Sequence, residues 1–188
     1  MSGRWRLFVA VELPDDARAA ITRAVDAIGV RPGLRWTPTE QLHVTLLFLG
    51  AVEPELVPTI GGRLAEIAAA GAPFRLSLAG LGRFPARGKV RVLWVGLRDA
   101  DGALAALAAA TKSSLHDLVV TEERPFHAHI TVARAREPVR VPPAVLETAV
   151  EPVIVDVVHV TLFRSHLGGG KPSRYEALQR WQLGAATP

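Results

Sequence analysis

The sequence predicts an α+β protein: two pseudo-symmetric lobes, each an antiparallel sheet with helices on its outer face, closing on a central groove. Three observations carry that expectation. Short alternating apolar segments are interleaved with stretches of helical periodicity. Their order repeats once, giving matching halves at roughly 1–88 and 89–188. No linker rich in Pro, Gly or Ser separates the halves, so residues 1–188 should pack as one domain.

The first segment, "RLFVAVEL" (6–13), is apolar and alternating, and reads as a strand. After Pro14 and Asp15, the residues Ala17, Ala20, Ile21, Ala24, Val25 and Ile28 recur at helical spacing up to Gly29. "LHVTLLFL" (42–49) is the next strand. Pro54 opens a helix whose stripe is Val57, Ile60, Leu64 and Ile67, closed by Gly71. "FRLSLAGLGRF" (74–84) is a strand interrupted by glycines. The second half follows suit. "VRVLWVGL" (90–97) is a strand, Asp101 can cap a helix carrying Leu104, Leu107, Ala108, Thr111 and Leu115, and "HAHITVA" (127–133) is a strand. "PPAVLETAV" (142–150) is a short helix or turn, "VIVDVVHVTLFRS" (153–165) one strand, and "SRYEALQRWQL" (173–183) a last one.

Composition narrows the chemistry. With 49% hydrophobic and 21% charged residues the chain is globular. No apolar run approaches the roughly 20 residues that cross a bilayer, and "MSGRWRLFVAVELPDD" lacks a secretory pattern, so a cytoplasmic protein without a membrane segment is expected. The absence of cysteine excludes disulfides, thiolate catalysis and cysteine-held metals. All but three of the 22 cationic residues are arginines and the net charge is +4, which suits an anionic partner such as RNA. Codon usage in a GC-rich genome produces the same bias, so charge alone decides nothing.

The pattern His-x-Thr-apolar occurs at 43–46, 129–132 and 159–162. The duplication separates the three. From Arg6 to His43 is 37 residues, and from Arg91 to His129 is 38, so these two histidines occupy equivalent second-strand slots 86 residues apart. His159 falls in a third-strand slot with no partner histidine, and is assigned a structural or surface place. Side chains at i and i+2 share a strand face, so His43 projects with Thr45 and His129 with Thr131. By the same count Phe48 falls with Val44 and Leu46 in the core.

Two such pairs facing one another suit phosphoryl chemistry. One imidazole can accept a proton while the other donates, and the hydroxyls can hold phosphate oxygens. A rival uses His127, His129 and His43 as a three-histidine metal site. His127 has Gln41 as its counterpart in the first half, and the repeated threonines have no purpose as ligands, so the metal-free reading is preferred. A second rival is a noncatalytic module that binds RNA ends.

Beyond the two motifs, "RLFVAVELP", "RWTPTEQLHVTLLFLG", "GLGRFP", "VLWVGL", "RPFHAHITVARA" and "LFRSHLGGGKPSRYEAL" extend the pattern over nearly the whole chain. In these stretches the protein resembles the 2H phosphoesterases, and more closely the RNA 2′,3′-cyclic phosphodiesterases historically called 2′-5′ RNA ligases. One departure is Ala128, where relatives often carry proline. The resemblance implies metal-independent hydrolysis of 2′,3′-cyclic phosphate ends to 2′-phosphates, with joining or cleavage of 2′-5′ linkages in tRNA halves as a further activity. It implies that His43 protonates the departing 3′-oxygen, His129 activates water, and Thr45 and Thr131 bind the phosphate. It further implies RNA ends or cyclic nucleotides as partners, no cofactor, and a monomer. Arg134, at the end of the second motif, can reach the phosphate or flank the groove; its parity points it to the other strand face, where a structural ion pair is an equal reading unless a twist or bulge turns it. Ser165 and Tyr175 match recurrent positions, the tyrosine as a packing group. Of the rings near the motifs, Phe48 and Phe126, a base could stack on one, with parity favouring the core for Phe48, and the stretches 85–89 and 168–174 are candidate basic rims or plain solvated turns.

Overall fold

The computed structural model describes residues 3–120, 125–168 and 171–184. Its elements run β1 (Trp5–Glu12), α1 (Asp15–Ile28), β2 (Leu34–Trp36), β3 (His43–Val52), α2 (Val57–Ala70), β4 (Phe74–Phe84) and β5 (Val90–Arg98). They continue through α3 (Ala103–Leu115), β6 (His129–Val139), α4 (Pro143–Leu146), β7 (Ile154–Val157), β8 (His159–Gly168) and β9 (Lys171–Gln182). Among the described residues the strand order is β7-β4-β5-β6-β3-β1-β8-β9, with β2 added beside β6 and every pairing antiparallel.

Segment 153–165, expected as one strand, is two. β7 borders β4 at one end of the order, whereas β8 lies near the other end, and Val158 alone joins them. A one-residue connection cannot cross a flat sheet of this width, because a residue spans at most about 3.6 Å. The sheet therefore curls until its ends approach, giving an antiparallel half-barrel. The lobes also cut across the sequence halves. β4 lies beside β5 and β6, and β8 and β9 lie beside β1 and β3. The two halves have exchanged their last strands.

β3 and β6 meet at the centre through a single registered pair, Val44 with Ile130, both fully buried. On one side of this narrow seam β2, which the sequence pattern did not reveal, pairs with Ala133–Ala135 of β6. Helices cover the outer, apolar face. α1 buries Ala17, Ala20, Ile21, Ala24 and Ile28, and α3 buries Leu104, Leu107, Ala108 and Leu115. All of these but Ala24 join Val9, Val11, Leu93 and Val95 in one continuous core under both lobes. Asp15 and Asp16 in the first turn of α1 oppose its positive N-terminal dipole. Gly29, at φ +70°, ends the helix in a left-handed conformation that a Cβ would strain. The cap of α3 is Asp99 rather than Asp101: its carboxylate accepts the backbone N–H of Leu104 and Ala105 at 3.2 and 3.0 Å.

Candidate active site

The seam positions four side chains by register alone. Val44 and Ile130 point into the core, so their neighbours His43, Thr45, His129 and Thr131 point the other way, into the groove. Extending the antiparallel register by one residue sets His43 across from Thr131 and Thr45 across from His129. The two histidines then lie on a diagonal of the square. Such diagonal neighbours stand roughly 7–8 Å apart along the backbone, and the rings are near enough for the charge of His129 to act on His43.

Both imidazoles are held in the same way. His43 donates from Nδ1 to the carbonyl of Gln41 at 2.7 Å, and His129 donates from Nδ1 to the carbonyl of His127 at 2.7 Å. Each acceptor precedes its histidine by two residues, so this hydrogen bond is itself duplicated. It fixes the tautomer and leaves each Nε2 to face the groove. The Nε2 of neutral His43 accepts from the Thr45 hydroxyl at 3.1 Å. Sequence reasoning passed over these carbonyls, although the spacing that revealed the histidines also relates Gln41 to His127.

Aromatic rings wall each histidine. His43 contacts Phe8 at 5.0 Å and the edge of Tyr175 at 5.3 Å, with Phe163 stacked on Phe8. His129 contacts Phe84 at 5.2 Å, and Trp94 and His127 pack beside it. Gly82 makes room for Trp94, since a Cβ there would fall 2.1 Å from the indole. These walls set the electrostatics. Burial lowers the pKa of His43 to about 4, against the raising effect of its bond to Gln41, with the charges of Arg134 and His129 lowering it further. Burial likewise lowers His129, opposed by its bond to His127 and assisted by the charges of His127 and Arg134.

Two residues depart from simple alternation, for one reason. In the pairing of β1 with β3, Val9 matches Leu47 and Ala10 matches Thr45, which leaves Leu46 as an extra residue. In the pairing of β5 with β6, Leu93 matches Ala133 and Trp94 matches Thr131, which leaves Val132 extra. Each bulge buries two consecutive residues and flips the next one to the groove face. Phe48, expected in the core, is therefore 54% exposed on the groove. Arg134 turns inward too, its Nη2 standing 3.5 Å from the Thr131 hydroxyl.

A cavity of about 880 Å³ opens against this arrangement, with Thr45, His129, Arg134, Phe48 and Phe126 among its walls. His43 and Thr131 are not part of its lining, so it meets the site from the His129 and Thr45 side. Ser165 lies on β8 across from Arg6 and Tyr175, outside this lining. Tyr175 packs on the His43 ring. His159 is exposed at the start of β8. Residues 85–89 form exposed bends, while Gly168 and Lys171 pair at the end of a hairpin and 169–170 lie outside the described residues. Among the described residues, no three metal-ligating side chains gather closely enough to hold an ion.

A curled antiparallel sheet that brings two His-x-Thr pairs to one face of its central seam is an arrangement suited to phosphoester chemistry. Residues 11–94 match the family model described as LigT like Phosphoesterase. The RNA 2′,3′-cyclic phosphodiesterase of Thermus thermophilus is 40% identical over 159 residues, covering 78% of each chain. Among solved structures, TT0787 of Thermus thermophilus superposes with TM-score 0.83 at 32% identity, over 97% of this chain and 100% of that one. Escherichia coli LigT complexed with 3′-AMP superposes with TM-score 0.79 at 30% identity, over 98% and 100%. The chain belongs to the LigT-like phosphoesterases.

Proposed function

We propose that the protein hydrolyses 2′,3′-cyclic phosphodiester ends of RNA in the cytoplasm to 2′-phosphates, by acid/base catalysis between His43 and His129. The duplicated lock on the imidazoles carries this reading: each Nδ1 is bonded to the carbonyl two residues before it, which leaves both Nε2 atoms free for proton transfer, that of His43 with the Thr45 hydroxyl beside it. Its relatives named RNA 2′,3′-cyclic phosphodiesterase, and the 3′-AMP in E. coli LigT, support the substrate class.

The cyclic phosphate lies between the rings, its non-bridging oxygens taken by Thr45, Thr131 and the Arg134 guanidinium. One neutral Nε2 takes a proton from water as the water oxygen attacks phosphorus. The other, protonated, gives its proton to O3′ as the P–O3′ bond breaks. The products are a 2′-phosphate and a free 3′-hydroxyl. By the family resemblance His43 is the donor to O3′ and His129 the acceptor from water. With the 5′-hydroxyl of a second RNA end in place of water, the same steps join the ends: the base takes the hydroxyl proton, O5′ bonds to phosphorus, and the P–O3′ bond breaks to leave a 2′-5′ linkage and a free 3′-hydroxyl.

The test is incubation with a 2′,3′-cyclic nucleotide and detection of the 2′-phosphate product, with and without a chelator. Product formed equally in both arms is the expected result. Binding without product would instead indicate a noncatalytic end-binding module, and chelator inhibition reversed by zinc would indicate the three-histidine site.

A further inference from the structure

The third His-x-Thr, which the duplication leaves without a counterpart, comes to lie on the groove face. Thr161 of β8 is across from Ala10 of β1, and Ala10 is across from Thr45 of β3. Glu12 of β1 is matched directly with His43. Continuing the β1 and β8 register by two residues sets His159 on its other side. Matched residues on neighbouring strands share a face, with Cβ atoms roughly 4.5–5.5 Å apart. A carboxylate therefore stands within reach of the His43 ring. His129 has no such neighbour, since Gly96 occupies the matched position on β5.

The Glu12 carboxylate is nevertheless turned away from the ring. Arg180 of β9 holds it, with Nη2 at 2.9 Å from each carboxylate oxygen. β8 lies between β1 and β9, so this ion pair reaches across a whole strand on the groove face. It crosses beside Thr161, which is in register with Arg180 and fully buried.

We infer, from the catalytic part given to His43 above, that Arg180 is a positioning residue for that ring: by drawing Glu12 across β8 it keeps the acid in register with His43 from pairing with it. An anion within ~4–6 Å of an imidazole favours the imidazolium. A released Glu12 would thus hold the proton that His43 has to give up, and its charge would repel the phosphodiester. The groups that do face His43 agree with this. They are the Gln41 carbonyl, the Thr45 hydroxyl and the edge of Tyr175, and the charges acting on the ring are those of Arg134 and His129. None of them is a carboxylate.

The experiment is an NMR titration of the His43 ring in the substrate-free protein, with the pH profile of kcat/KM for a 2′,3′-cyclic nucleotide measured beside it. Arg180→Gln releases Glu12 and should raise the His43 midpoint by about one pH unit or more, as an opposite charge at that distance does. The kcat/KM peak should move to higher pH with it. Arg180→Lys keeps a cation for Glu12, and Glu12→Gln combined with Arg180→Gln removes the acid, so both should return the midpoint to its wild-type position. Arg180 is 57% exposed, and an ion pair so open to water adds little to stability, so all three variants should fold. A midpoint that does not move in Arg180→Gln, the carboxylate then lying in water or turned to His159, overturns the inference. A rise that persists in the double variant overturns it too. The ring titrates without turnover, so a protein that shows these shifts but hydrolyses no cyclic phosphate overturns the proposed function alone.

Discussion

Phe48 and Arg134 stand 86 residues apart at the same place in the duplication, and each reaches the groove because a bulge precedes it, at Leu46 and at Val132. The backbone has been kept and the side chain changed. One lobe thereby gains a cation beside its threonine, at 3.5 Å, and the other an exposed aromatic face.

Arg134→Gln should lower kcat/KM for a 2′,3′-cyclic nucleotide by about a hundredfold, since it removes a charge that meets the developing oxyanion in a partly dry site. Arg134→Lys should recover only part of the loss, because a point charge does not reproduce the planar fork. Circular dichroism should show the fold intact, as Arg134 is exposed at the groove. Steady-state rates within a few fold of wild type in Arg134→Gln would mean that the guanidinium serves only the strand.

His43→Ala and His129→Ala should each reduce kcat by about a hundredfold or more, the usual contribution of a positioned proton-transfer group. The double variant should be little worse than either single one, because in the proposed mechanism the pair acts as a unit. Near-additive losses would argue for two independent binding roles instead.

The pH profile follows from the walls around the rings. The proposed mechanism needs one protonated and one neutral imidazole, and both pKa values are lowered from 6.5, that of His43 to about 4. The singly protonated pair is therefore most populated below the ordinary histidine range, and kcat/KM should peak on the acid side of pH 6.5. Bound phosphodiester is an anion and raises both values, so the kcat profile should lie at higher pH than that of kcat/KM. Arg134 lowers both rings, and Arg134→Gln should move the kcat/KM peak upward. A peak above pH 7.5 in the wild type would contradict this.

Much of the site was legible because strand parity and duplication are both simple counts. His43 with Thr45, and His129 with Thr131, needed only a period of two and a shift of 86. The same count put Phe48 in the core, and put Arg134 on the far face unless a bulge intervened, because one extra residue reverses every later side chain. The signal was present as adjacent apolar residues, Leu46-Leu47 and Val132-Ala133, inside otherwise alternating strands. The division of 153–165 at Val158 had no such mark, because both strands are apolar and only their partners differ. β2 was too short, at three residues, to show a period. The carbonyls of Gln41 and His127 belong to the backbone, where residue identity carries no information.

Acid stability gives the last prediction, and its sign is fixed by His43. In the unfolded chain this ring titrates near 6.5, and in the folded protein burial lowers it to about 4. Above pH 6.5 the ring is neutral in both states and adds nothing to the pH dependence. Between 6.5 and about 4 the unfolded chain binds a proton that the native state refuses, so stability falls as the pH falls. His129 is lowered too and acts in the same direction. His43→Gln removes the titration while keeping a side-chain amide that can donate to the Gln41 carbonyl. Relative to wild type, the variant should gain on the order of 2 kcal/mol between pH 7.5 and pH 4.5, a figure reduced from the full shift for the ring's partial exposure. Urea unfolding at the two pH values measures the difference directly, because carboxylates and other histidines are common to both proteins and cancel. A stability difference that does not change with pH would show that His43 titrates normally, and that its aromatic surround does not exclude water from the ring.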